Sequence, residues 1–211
     1  KYEFTMMNRQ DAMYHALRFL KKSETLGSCF EFGLYQGQSI VTAYKIHTQI
    51  DDFPRHFYGF DSFSGLPPLS KADNLNDYGV FHEGQFSVSK SQVYANLIKN
   101  GMPDNSFTLI EGFYNESLYE ENTIEILGDT KAALVHIDCD LYSSAIPCLD
   151  FIAPRLVDGA ILMFDDWFCY RGREDKGVRR AFNEWSNKVE YSFTEYSKYS
   201  WSGIMFICSK K

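Results

Sequence analysis

Five short apolar runs, each closed by a glycine or a carboxylate, constrain this chain more than any other feature. Residues 28–32 end at Gly33, 56–60 at Asp61, 107–110 at Glu111, 132–137 at Asp138 and 160–164 at Asp165. Stretches of helical length separate them. Residues 10–22 place Ala12, Ala16, Phe19 and Leu20 on one side, and 39–50 space Ile40, Ala43, Tyr44 and His47 at the helical period. Further helices are expected at 86–100, closed by Gly101, at 116–127, closed by Gly128, and at 176–188. Another runs from Ser144, as its cap, to about Leu156, with Pro147 tolerated in the first turn. The tail, 191–196 and 203–208, reads as two closing strands.

This alternation predicts an α/β fold whose mostly parallel, seven-stranded sheet carries helices on both faces. The apolar runs lack regular polar alternation, as expected of strands covered on both sides. The 211 residues fit one domain, 1–211, with 45% hydrophobic residues to fill its core. An N-terminal helix occupies 1–25, and 68–85, rich in Asp, Asn, Gly and Ser, reads as a long flexible lid.

The net charge of −7 argues against nonspecific binding to nucleic acid or an anionic membrane. The apolar runs fall far below the ~20 residues that cross a bilayer. The N-terminus, Lys1-Tyr2-Glu3-Phe4, does not read as a leader, and the absence of an initiator Met suggests a trimmed chain. Cys29, Cys139, Cys148, Cys169 and Cys208 form no CxxC pair, so buried thiols in a reducing, cytoplasmic setting are expected.

In open α/β sheets, ligands bind outside the C-terminal strand ends, where Gly33, Asp61, Glu111, Asp138 and Asp165 converge. The first turn, Glu31-Phe32-Gly33-Leu34-Tyr35-Gln36-Gly37-Gln38-Ser39, allows close approach of a ligand to the backbone beside a helix N-terminus. It lacks the lysine of GxxxxGK[ST] and the spacing of GxGxxG, so a pyrophosphate ligand is poorly supported. Asp61, ending the second strand in YGFDSFSGLP, can accept from ribose hydroxyls. Asp138 and Asp140 of HIDCDLY and Asp165 and Asp166 of FDDW place four carboxylates at neighbouring strand ends. Such a set repels itself unless a hard divalent cation, most simply Mg²⁺, or the nearby Arg171, Arg173, Arg179 and Arg180 neutralise it.

Taken in order, FEFGLYQGQS, YGFDSFSGLP, FHEGQF, LIEGFYNESL, HIDCDLYSS and FDDW resemble the macrocin O-methyltransferase family across residues 28–188. The resemblance implies a Rossmann-like class I methyltransferase fold and S-adenosylmethionine-dependent, metal-assisted methylation of a sugar hydroxyl. It implies metal ligands at Asp138, Asp165 and Asp166, and a general base at Asp140. It implies cofactor contacts at Glu31, Gly33, Tyr35, Gly37 and Ser39, at Asp61 and Ser62, at Glu111, Gly112 and Phe113, and at Asp138. His136 departs from the Arg or Lys expected there. The implied partner is a small hydroxylated acceptor, with neither nucleic acid nor membrane; a homodimer is compatible. Two other readings compete: a DxD-type metal-dependent phosphatase or glycosyltransferase, and a noncatalytic module on a methyltransferase scaffold. The first leaves the Gly33 turn without a use, and the second leaves four adjacent acids without a cation.

Overall fold

The computed structural model describes residues 7–73 and 81–211. The central part of the expected lid, 74–80, and the first six residues lie outside the described residues. The strands are β1 (Ser28–Phe32), β2 (Phe57–Asp61), β3 (Phe107–Glu111), β4 (Ala132–Ile137), β5 (Leu156–Phe164), β6 (Tyr191–Tyr199) and β7 (Gly203–Lys210). They form one sheet in the order β3-β2-β1-β4-β5-β7-β6. The first five are mutually parallel, β7 runs antiparallel to β5, and β6 antiparallel to β7. The helices are α1 (Arg9–Lys22), α2 (Gln38–Ile50), α3 (Lys90–Lys99), α4 (Tyr114–Ser117), α5 (Glu121–Leu127), α6 (Tyr142–Ile152) and α7 (Gly177–Ser186).

Alternate strand residues face opposite sides of a sheet, and here each side meets different helices. Phe30, Phe32, Val135, Ile137, Leu162 and Phe164 pack with α6 and α7 through Ala145, Leu149, Val178 and Phe182. Cys29, Leu134, Ile161 and Met163 pack with α1 and α2 through Ala16, Leu20, Ile40 and Ile46. Glu31, His136, Asp138 and Asp165 continue that second set by steps of two. Their side chains therefore converge on the α1 side of the sheet, where the first turn of α1 lies.

Three helices depart from their sequence-based bounds. The stretch expected as one helix at 116–127 is two, α4 and α5, parted where Leu118 is fully buried and Glu120 is extended. The helix expected from Ser144 begins at Tyr142 and ends at Ile152, so Leu156 opens β5 and Pro147 lies inside the helix rather than in its first turn. Its cap is Asp73, from the described base of the lid, whose Oδ1 accepts from Tyr142 N at 2.7 Å. The third, α3, starts at Lys90, because Ser89 and Gln92 form a reciprocal capping box there.

Both ends of the segment expected as a lid are tied down. Leu66 N donates to Gln85 O and Gly84 N to Leu66 O, each at 2.9 Å. Asp73 is 5% exposed and accepts from Ser70 Oγ at 2.6 Å. Among the described residues, no helix is long and apolar enough to cross a membrane.

Candidate active site

A cavity of about 750 Å³ opens at the C-terminal rim of the parallel strands. One end is formed by Gly33, Leu34, Tyr35 and Ser39, by Asp61 and Ser62, and by Gly112 and Phe113; the other holds Asp138, Asp140, Asp165 and Asp166.

At the first end, β1 and β4 approach so closely that a Cβ on Gly33 would stand 1.9 Å from Asp138 O. Only glycine fits, and its φ of 92° is one that glycine adopts without strain. Asp61 is more heavily engaged than ribose binding alone requires. Its Oδ2 accepts from Leu34 N at 2.7 Å and Tyr35 N at 3.3 Å, and Oδ1 accepts from Phe63 N at 2.7 Å. It thus locks the Gly33 turn to the DSFSG turn. Burial raises its pKa, and these three amide N–H groups oppose the rise. Ser62 Oγ donates to Gly65 O at 2.7 Å within that second turn.

Three expected cofactor contacts, Glu31, Gly37 and Glu111, are not among the lining residues. Glu31 is buried and accepts from Ser39 Oγ, so it holds a wall residue from beneath. Gly37 is the left-handed entry to α2, and its Cα packs so tightly on α3 that a Cβ would stand 2.8 Å from Leu97 Cδ2. Glu111 is exposed and pairs with Lys90 at 3.6 Å.

The acid end gathers the four aspartates named from the sequence. Single ligand atoms of His136, Asp138 and Asp165 lie within 4.8 Å of one another. Asp165 Oδ1 and Asp166 Oδ2 are buried without a hydrogen-bond partner among the described residues. Burial and mutual repulsion push Asp138 and Asp140 well above the usual carboxylate range, and Asp166 up to about 6. Asp165 is held low: burial would raise it, but His136 and Arg9 outweigh that. Asp140 has a φ of 63°, a left-handed conformation that turns the chain beyond the strand end.

Three of the arginines that the sequence offered as the alternative to a cation form ion pairs with other acids. Arg173 pairs with Asp175, Arg179 with Glu174 and Arg180 with Glu184. Arg9 does the work instead, with Nη1 3.3 Å from Asp138 Oδ2 and Nη2 bonded to Asp165 Oδ2. His136 lies between Glu31 Oε2 at 3.7 Å and Asp165 Oδ1 at 3.6 Å. Burial pushes its pKa down, but the two carboxylates prevail and hold it up at about 10. Oxygen donors in excess of local positive charge fit a hard divalent cation, and Asp138 and Asp165 bring ligand atoms close enough together to hold one.

Arg9 was missed because a basic residue in a polar first turn reads as solvated. Trp201, in the β6–β7 turn, was missed for want of any motif; it lines the cavity while 66% exposed.

The sequence matches the profile of the macrocin O-methyltransferase family (TylF) over residues 1–196. The chain belongs to that family. Two curated relatives share the resemblance. One is the 8-demethyl-8-(2,3-dimethoxy-α-L-rhamnosyl)-tetracenomycin-C 4'-O-methyltransferase of Streptomyces olivaceus, 24% identical over 76% of this chain and 60% of its own length. The other is the mycinamicin III 3''-O-methyltransferase of Micromonospora griseorubida, 23% identical over 76% of this chain and 63% of its own. The chain thus spans about three fifths of the length of these relatives. Among solved structures, the O-methyltransferase NovP superposes with a TM-score of 0.78 at 17% identity, covering 96% of this chain and 80% of that one. That likeness establishes the class I O-methyltransferase fold for this member of the macrocin family.

Proposed function

We propose that this chain transfers the methyl group of S-adenosylmethionine to a hydroxyl of a sugar or glycosylated natural product, assisted by a divalent cation, most simply Mg²⁺. The observation that carries this reading is the continuity of one cavity from the Gly33 turn to the aspartate cluster. Its volume lies within the roughly 300–1,000 Å³ of small-molecule sites. Both curated relatives are named as O-methyltransferases of glycosylated natural products. A phosphatase or glycosyltransferase reading leaves Gly33, Asp61 and the turns they hold together without a role. The five free thiols support a reducing, cytoplasmic setting.

In this reading Gly33, Tyr35 and Ser39 border the methionine portion of the cofactor, Asp61 and Ser62 the ribose, and Gly112 and Phe113 the adenine. Glu31 and Gly37 act from behind, keeping the first turn in place. S-adenosylmethionine supplies an electrophilic methyl group, and the cation bound by Asp138, Asp165 and Asp166 supplies orientation and a lowered pKa to neighbouring acceptor hydroxyls. Asp140 takes the hydroxyl proton on a carboxylate oxygen as the C–O bond forms and the C–S bond breaks. A carboxylate is a weak base for an alcohol, so Asp140 and a hydroxyl acidified by the cation would be complementary. Trp201 offers a flat apolar face to the acceptor.

The test is methyl transfer to a panel of rhamnosides and other glycosides, with and without EDTA, reading S-adenosylhomocysteine release and the methylated position by NMR. Cation-dependent transfer to a sugar hydroxyl is expected. Full activity in EDTA would remove the cation from the mechanism, and no transfer to any glycoside would remove the acceptor class.

A further inference from the structure

Arg9 reaches two of the carboxylates proposed to hold a divalent cation. Its guanidinium bridges Asp138 Oδ2, at 3.3 Å, and Asp165 Oδ2. The remaining Asp165 oxygen, Oδ1, faces His136 Nε2 at 3.6 Å. Oδ1 has no hydrogen-bond partner among the described residues, whereas Oδ2 is held by Arg9. A cation that takes Asp138 and Asp165 together must displace the guanidinium from Oδ2 or share that oxygen with it.

The two groups differ in their freedom to leave. His136 is 1% exposed, held in the middle of the sheet by its place in β4. Arg9 is the first residue of α1, its side chain is 45% exposed, and it lines the cavity on a long flexible stem. The helix behind it has no need to move. Asn8 and Asp11 close a capping box, Ser200 N donates to Met7 O at 2.7 Å, and Ala12, Met13, Ala16, Leu17 and Leu20 are buried. Rotation of one side chain into the open cavity frees the pair.

We propose that Arg9 is an internal counter-cation that holds Asp138 and Asp165 together in the ion-free protein and competes with the divalent ion for them. This rests on the reading that the aspartates bind such an ion. Without Arg9, the cation-free cluster would lose the guanidinium that bridges Asp138 and Asp165, and repulsion among the aspartates would loosen the rim. With Arg9, ion binding is an exchange of one positive group for another. Cation affinity is then set by α1 as well as by the ligands.

The experiment is titration of Mn²⁺ into EDTA-stripped, dialysed protein, followed by the loss of the free-ion EPR signal, for the native chain, Arg9→Gln and Arg9→Lys. Removing a competing pair of charge-assisted contacts should tighten Mn²⁺ binding by about tenfold in Arg9→Gln. Arg9→Lys should fall between the two, because an ammonium cannot bridge both carboxylates with a planar fork. In EDTA, Arg9→Gln should melt below the native protein and gain more from added Mn²⁺. Equal or weaker binding by Arg9→Gln overturns the proposal. Should that variant not fold, Arg9→Lys decides alone: tighter binding than native supports competition, and equal or weaker binding overturns it. Absence of Mn²⁺ binding in every protein overturns the cation site itself, and the competition with it, which is a different result from binding that is indifferent to Arg9.

Discussion

The carboxylate of Asp73 caps the helix that begins at Tyr142, 69 residues away, through a 2.7 Å bond from Tyr142 N to Oδ1. Ser143 N adds longer bonds of 3.4 and 3.3 Å to the two oxygens. The same helix follows Asp138, Cys139 and Asp140 directly. The base of the lid and the acid end of the cavity are thus joined at one helix N-terminus, where a negative group also meets the favourable end of the helix dipole.

Replacing Asp73 with Ala should cost about 1 kcal/mol, a fall of roughly 2–4 °C in Tm for a chain of this size. Asp73→Asn, which retains an acceptor oxygen, should lose less. Calorimetric melts of the three proteins check this; an unchanged Tm in Asp73→Ala would show that water replaces the cap without cost.

Asp61→Ala should weaken binding of S-adenosylhomocysteine by about 1–3 kcal/mol. Because Asp61 also accepts from Leu34, Tyr35 and Phe63, the variant should melt at a lower temperature even without ligand. Titration calorimetry beside a melt separates the two effects. Unaltered affinity would remove Asp61 from the cofactor site.

Asp140 and Asp165 should fail differently. Asp140→Asn should retain Mn²⁺ and S-adenosylhomocysteine binding and lose turnover, since an amide cannot take the proton. Asp165→Ala should lose cation binding and turnover together. Single-turnover assays combined with metal titration distinguish them, and normal turnover in Asp140→Asn would refute its role as base.

Trp201→Ala should raise KM for a glycoside acceptor by roughly three- to tenfold, the worth of one aromatic contact, with kcat little changed. Steady-state kinetics at saturating cofactor read this directly. A loss confined to kcat would place Trp201 in positioning the chemistry and not in binding the acceptor.

Acid should unfold the protein partly through Asp51. Burial would raise its pKa, but the Phe53 amide and the Arg55 guanidinium hold it below the ordinary value. A carboxylate with a depressed folded pKa stabilises the fold above its unfolded pKa, about 3.8, and loses that contribution as pH falls through the folded value. Urea denaturation at pH 6 and pH 3 should show a smaller difference for Asp51→Asn than for the native chain. Arg55 also donates to Gly27 O and Thr25 O, both at 2.8 Å, so Arg55→Ala should cost about 3 kcal/mol as a broken buried pair.

What was legible in the sequence is what local periodicity encodes. The apolar runs located the five parallel strands to within a few residues, because a strand covered on both faces is apolar along most of its length. The polar residue closing each run marked the rim, since chain direction alone puts the C-terminal ends of parallel strands together. Gly33, Asp61, Asp138 and Asp165 were named on that ground and line the cavity, whereas Glu111, named with them, pairs with Lys90 outside its lining. Tertiary structure decided which charges meet. Arg9 lies 156 residues from Asp165, and Asp73 lies 69 from Tyr142. Neither pair leaves a periodic trace in the sequence. Glu31 and His136 became neighbours only through the pairing of β1 with β4. Hydrophobic pattern repeats every two or 3.6 residues and can be read along the chain. An ion pair depends on the strand order and on the face to which each side chain turns, and both exist only once the sheet has assembled.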